Sequence, residues 1–135
     1  MKKVLSLILA ISFIFVCVSC KTQTDVWKDA KYTQDTTFGE GGKSVVVEVV
    51  VLENSVNFTI HTDADTLGEA LVSHNLIEGE DGEFGLYIKK VNGILADYDI
   101  DGSYWAFTKN GEYMLSGVDT TEIVNGEHYE LTYTK

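Results

Sequence analysis

Three aspartates alternate in "DYDIDGS" (97–103), and Gly102 follows Asp97, Asp99 and Asp101. That spacing is the first half of a calcium loop, where hard carboxylate oxygens gather round a hard cation and a glycine makes the sharp turn. The twelfth position of such a loop calls for a bidentate Glu, but here it is Thr108, inside a stretch patterned as strand. The segment reads either as a weak calcium site of the extracellular kind or as a solvated acidic loop leading into a strand. His61, His74 and His128 lie far apart in sequence, and no pair has metal-ligand spacing. Downstream of Cys20 there is no cysteine and no Gly-x-Ser-x-Gly, and "FGEGGK" lacks the Lys-Ser/Thr step into a helix that a phosphate loop needs. No nucleophile, base or cofactor is set up, so catalysis and a bound cofactor are not expected.

What remains is aromatic surface. Tyr87, Tyr98, Tyr104 and Tyr113 flank two Asn-Gly pairs, at 92–93 and 110–111. Tyrosine carries flat apolar area with a hydrogen-bonding tip, which suits recognition of a large, partly polar ligand. The same rings would serve equally well in cross-strand packing on an exposed sheet face.

The elements that must position these rings are mostly strands. Asn110-Gly111 fits a two-residue turn of type I′, whose central residues both need φ > 0. That register sets Lys109 opposite Glu112, Thr108 opposite Tyr113, Phe107 opposite Met114 and Trp105 opposite Ser116. Trp105, Phe107 and Met114 then share a core face beneath a helix, while Tyr104, Thr108 and Tyr113 face outward. "SVVVEVVVLE" (44–53) is β-branched on both faces and reads as a central strand with little exposure. Asn54-Ser55 turns it into "VNFTIHT", whose alternation is that of a half-buried antiparallel partner. Thr66 followed by Glu69 makes a capping box, and Leu67, Ala70, Leu71 and His74 fall on one helical stripe over 66–74. An acidic turn, "EGEDGE", leads to "FGLYIKKV", and "EHYELTYT" places Tyr129, Leu131 and Tyr133 on one face. The expected fold is α+β, a β-grasp-like antiparallel or mixed sheet with one main helix.

The chain begins "MKKVLSLILAISFIFVCVSCK": two lysines, an apolar run from Val4 to Val18, a small residue, then Cys20. This is the build of a signal peptide, and the run falls short of the roughly 20 residues that span a bilayer as a helix. An uncleaved anchor helix is the other reading. Val18-Ser19-Cys20 resembles a bacterial lipobox, although Cys17 stands where Leu is usual. The expected organisation is a signal peptide (1–19), a lipidated Cys20 with a tether (20–25), a docked arm or edge strand (26–43), and one domain (44–135). Trp27, Tyr32 and Phe38 argue for docking of the arm, although its polar composition also fits disorder. Acyl chains such as palmitate on Cys20 would make a stable membrane anchor, at about 0.8 kcal/mol per buried CH₂. The localisation expected is the extracytoplasmic face of a bacterial membrane. Without Lys2 and Lys3 the formal charge of −11 becomes −13, with no arginine to offset it. Such a surface repels nucleic acid, which is excluded as a partner.

"TLGEAL", "GLYIKKVNGI", "SYWAFTKNGEYMLSGVD" and "NGEHYELTY" together resemble the bacterial transcobalamin-like C-terminal domain family, over roughly residues 44–135. Gly126-Glu127 departs from the Gly-Asp frequent in that family. In the animal carriers that give the family its name, this domain caps one side of a corrinoid while a helical domain holds the other. The resemblance implies a ligand-binding module of the cell surface, with a corrinoid as ligand and an uptake transporter as partner. A protein- or glycan-interaction module is the alternative, and Tyr87, Tyr98, Tyr104 and Tyr113 are the contact candidates in either case.

Overall fold

The computed structural model describes residues 25–83 and 85–135. The signal peptide, Cys20 and most of the tether lie outside the described residues. Among the described residues no helix is long and apolar enough to cross a membrane.

Among the described residues, nine strands form two sheets. The larger is built from β1 (Thr36–Phe38), β2 (Lys43–Val51), β3 (Asn54–Thr62), β7 (Tyr104–Lys109), β8 (Glu112–Tyr113) and β9 (His128–Thr134), in the order β1-β3-β2-β9-β7-β8. Two of its pairings, β1 with β3 and β2 with β9, are parallel, and the rest are antiparallel. The smaller is antiparallel, β4 (Ile77–Gly82), β5 (Gly85–Val91) and β6 (Ile94–Leu95). Helix α1 (Leu67–Ser73) has seven residues and α2 (Tyr98–Asp101) is a single turn. The α+β, β-grasp-like expectation is therefore corrected: among the described residues the fold is predominantly β, with two sheets and only one main helix, itself short.

The reason lies on either side of α1. Its capping box is in place, with Glu69 N donating to Thr66 Oγ1 and the Glu69 carboxylate accepting from Thr66 N. The helix then stops because Asn75 takes a left-handed φ of 56° and Leu76 N turns back to Leu71 O. The acidic stretch expected to be a turn instead extends as β4, with a bulge at Glu78/Gly79. A side chain at position 79 would drive its Cβ to 2.1 Å from Tyr87 O, so only glycine admits this pairing.

Val45, Val47, Val49 and Val51 point into the core, while Val46, Glu48 and Val50 are only half-buried on the other face. The central strand is thus central in the sheet but open on one side. Its turn is Leu52-Glu53, with Leu52 at φ 54°, rather than Asn54-Ser55, which already lies in β3. The core fills the space between the inner face of the large sheet, α1 and the small sheet, and includes Phe58, Ile60, Leu67, Leu71, Ile88, Tyr129 and Leu131. Fully burying each large apolar side chain stabilises by about 1.5–3 kcal/mol.

Residues 26–38 lie against this core. Val26–Asp29 is a 3-10 turn, and Tyr32 and Phe38 pack edge-on against each other and against Phe58. Asn92, fully buried, clamps the segment from the β5–β6 turn. Its Oδ1 accepts from Tyr32 N and its Nδ2 donates to Tyr32 O, both at 2.9 Å.

Candidate functional site

The β7–β8 hairpin has the register that its turn chemistry requires. Asn110 and Gly111 sit at φ 52° and 86°, and Lys109 pairs with Glu112 and Thr108 with Tyr113. Trp105 is 7% exposed and packs edge-on against Tyr133, its partner on β9. The pairing ends sooner than expected. Met114 N still donates to Phe107 O, but beyond it the chain leaves the sheet, so no Trp105–Ser116 pair forms.

Three of the four candidate tyrosines come together. The Tyr98 and Tyr104 rings lie 6.4 Å apart at 61°. Tyr113 lies close enough for its phenol to push the Tyr104 hydroxyl above the ordinary phenol range, with desolvation and Tyr98 adding to the effect. Tyr98 and Tyr113 are 62% and 69% exposed, which leaves their faces open to a partner. Tyr87 stands apart on β5, in the other sheet, 42% exposed. It meets Tyr104 only across a narrow recess.

That recess belongs to a cleft that the residue pattern does not announce. Its larger part, about 460 Å³, lies between the β4–β5 turn and the segment leaving β8, with Leu86, Tyr87, Met114, Leu115 and Gly117 among its walls. A smaller part of about 140 Å³ continues inward past Tyr87 and Tyr104 to Trp105, Phe107 and Val118. Leu86, Tyr87, Ser116 and Gly117 line both. Leu115 stands fully in solvent on the lip, at 103% relative exposure. Leu86, Met114 and Leu115 were missed because their setting depends on where β8 ends. The signal available was a leucine placed among turn-forming residues in "MLSG" (114–117), a position no hairpin core requires.

The acidic segment takes a different shape from a calcium loop. Asp97 caps α2, accepting from Asp99 N at 3.1 Å. The Asp101 carboxylate accepts from both Ser103 N and Ser103 Oγ, which holds it below the usual carboxylate range, with Lys135 3.7 Å away adding to the effect. Asp97 and Asp101 are thus occupied in capping and turn bonds. Among the described residues no group of three His, Cys, Asp or Glu side chains is placed to hold a metal ion. His74 packs against Phe38, and His128 sits between Glu48 and Glu130 on the open sheet face, at 3.3 and 3.5 Å.

Lys109 Nζ bonds Glu127 Oε1 at 2.8 Å, and the buried Tyr129 hydroxyl donates to the other Glu127 oxygen. The lysine first, and then the phenol, hold the Glu127 carboxyl below its usual range. Burial, aided by Glu127, pushes Tyr129 well above the ordinary phenol range. This group braces β7 against β9 and lies outside the cleft.

No curated protein is significantly similar to the chain. Among solved structures, a crystal structure at 1.30 Å resolution of a protein from Ruminococcus gnavus ATCC 29149, described as a candidate metal-binding protein, is 38% identical with a TM-score of 0.66. That match covers 70% of this chain and 98% of the other. The crystal structure of haptocorrin in complex with Cbi matches with a TM-score of 0.53 at 24% identity, over 73% of this chain and 26% of haptocorrin. The likeness to haptocorrin is one of fold, and at that level the transcobalamin-like resemblance holds. The family model described as a domain of unknown function, DUF4430, matches residues 64–135, from the start of α1 through the cleft to β9, and the chain belongs to that family.

Proposed function

We propose that the chain is a non-catalytic ligand-binding module that captures cobalamin or a related corrinoid at the outer face of a bacterial membrane, held there by lipid on Cys20. The observation that carries the reading is the cleft with its bare Leu115 lip, on a fold shared with a protein crystallised with Cbi. Keeping a leucine in water forgoes about 1.5–3 kcal/mol that a ligand covering it would recover. The cleft is shallow for a macrocycle, and tight small-molecule sites enclose most of their ligand. One wall of this size therefore binds weakly alone, and a partner such as an uptake transporter supplies the second.

Calorimetry with cobalamin and cobinamide tests the ligand. Leu115→Ala is expected to weaken binding by about 2 kcal/mol, roughly 30-fold, with little change in thermal stability. No corrinoid binding by the unmodified domain, alone or with a candidate transporter, removes the ligand assignment. The anchor is tested separately, by fractionating cells that express Cys20→Ala. Release from the membrane is expected, and retention of the variant as before refutes lipidation at Cys20.

A second reading rests on the cluster of exposed Tyr98 and Tyr113 with half-buried Tyr104 on the outward side of the hairpin. It makes the domain a protein- or glycan-interaction module of the cell surface. A Tyr98→Ala/Tyr113→Ala variant separates the two, because neither residue lines the cleft. Unchanged corrinoid binding by a well-folded double variant assigns the ligand to the cleft and leaves the tyrosines to a macromolecular partner.

A further inference from the structure

The chain contains three Asn-Gly pairs, at 92–93, 110–111 and 125–126. We infer that the fold makes one of them, Asn110-Gly111, a site of spontaneous deamidation on the β7–β8 hairpin. The chemistry needs only water. The Gly backbone nitrogen loses its proton and attacks the Asn side-chain carbonyl carbon, and ammonia leaves to give a five-membered succinimide. Water opens that ring at either carbonyl, forming aspartate or isoaspartate. The pair with a small following residue reacts most readily, provided its backbone and amide are free to reach the ring geometry.

The three pairs differ in that freedom. Asn92 is fully buried, and its amide is held at both ends by the Tyr32 backbone at 2.9 Å. Its own N and O are bonded to Leu76 O and by Lys31 N, at 2.8 and 2.9 Å. Asn125 is exposed, but its Oδ1 accepts from Ser44 N and the attacking nitrogen of Gly126 donates to Ser44 O, both at 2.7 Å. Ser44 belongs to β2, so freeing that nitrogen disturbs a strand flanked on both sides. Asn110 is exposed, and among the described residues its amide makes no hydrogen bond. The nitrogen of Gly111 is held by one partner, Glu130 Oε1 at 2.8 Å, and the turn adjoins a two-residue strand at the sheet edge. Opening this turn costs two residue pairs, and short edge elements are the first to open locally.

The product changes the hairpin. A new carboxylate appears beside Glu112 and Glu130, and an isoaspartate lengthens the backbone of a two-residue turn by one carbon, which the Thr108–Tyr113 register cannot absorb. The Tyr113 side of the cluster would shift.

Peptide mapping by mass spectrometry after incubation of the folded protein at physiological temperature and mildly alkaline pH tests this. Residue 110 is expected to convert at least about tenfold faster than 92 or 125, a ratio equivalent to about 1.4 kcal/mol of easier opening. In denaturant the three rates should converge, because the sequence pair is the same. Equal or faster conversion at 92 or 125 in the folded protein, no conversion at 110, or the same ranking in denaturant would overturn the inference.

Discussion

Asn92 does two jobs with one side chain. Its positive φ makes the β5–β6 turn, and its amide clamps the backbone of Tyr32. Asn92→Gly keeps the turn and removes the clamp, and the loss of two buried hydrogen bonds, together about 1–3 kcal/mol, is its main expected effect. Urea unfolding of that variant is the measurement, and a loss below about 0.5 kcal/mol would mean the clamp contributes little. Glu127 gives a prediction in pH. Its folded carboxyl is held down by Lys109 and the Tyr129 hydroxyl, so its stabilisation is complete above the unfolded value of about 4.3 and is lost as pH falls through the folded one. Glu127→Gln should therefore flatten the acid limb of the stability curve and leave a smaller difference between neutral and acid pH than the unmodified protein has. An identical acid limb would place the linkage on other carboxylates. The turn role of Asn92 was legible from the Asn-Gly pair. Its clamp was not, because nothing local in the sequence names Tyr32, sixty positions away, as its partner.

At the scale of elements, α1 is held close to the 3-10 turn Val118–Thr120. A Cβ added at Gly68 would lie 2.9 Å from Asp119 Cα. Alanine is the better helix former by about 1 kcal/mol, yet the backbone behind it cannot give way cheaply. Gly68→Ala is expected to destabilise by about 1–3 kcal/mol overall in denaturant melts. A stabilised variant would show the helix has room to move. The capping box and the two Asn-Gly hairpins were readable because each is decided by neighbours within a few residues. The acidic β4 was not, since its strand character comes from pairing with β5 rather than from its own composition. The cleft failed to appear for the same reason. Its lip forms where β8 stops pairing, and "EYMLSG" alternates well enough to suggest a longer strand.

For the whole molecule, the family match begins at residue 64, but the fold does not. The inner valines of β2 and the Phe58 and Ile60 of β3 cover Tyr129 and Leu131 of β9 from the side and complete the core. A fragment of residues 64–135 is therefore expected to remain unfolded or to collapse without fixed packing, with poorly dispersed amide resonances. A well-dispersed spectrum from that fragment would mean that the smaller sheet and β7–β9 suffice. The predominance of strand was read from the sequence only in part. The two strong β-branched runs were plain, whereas the parallel placement of β9 beside β2 is a long-range choice that no periodicity encodes.

That placement has a consequence in time. β9 is last in chain order among the six strands, yet it lies between β2 and β7. The β2–β3 hairpin and the β7–β8 hairpin can each form early, but until residues 128–134 are available each offers an open flank that only β9 closes. Pairings so distant in sequence form slowly, and unclosed strands are where chains stick to one another. A chain that lacks β9 should thus be found in aggregates rather than as a loosened monomer, and the commitment to fold waits on residues 128–134.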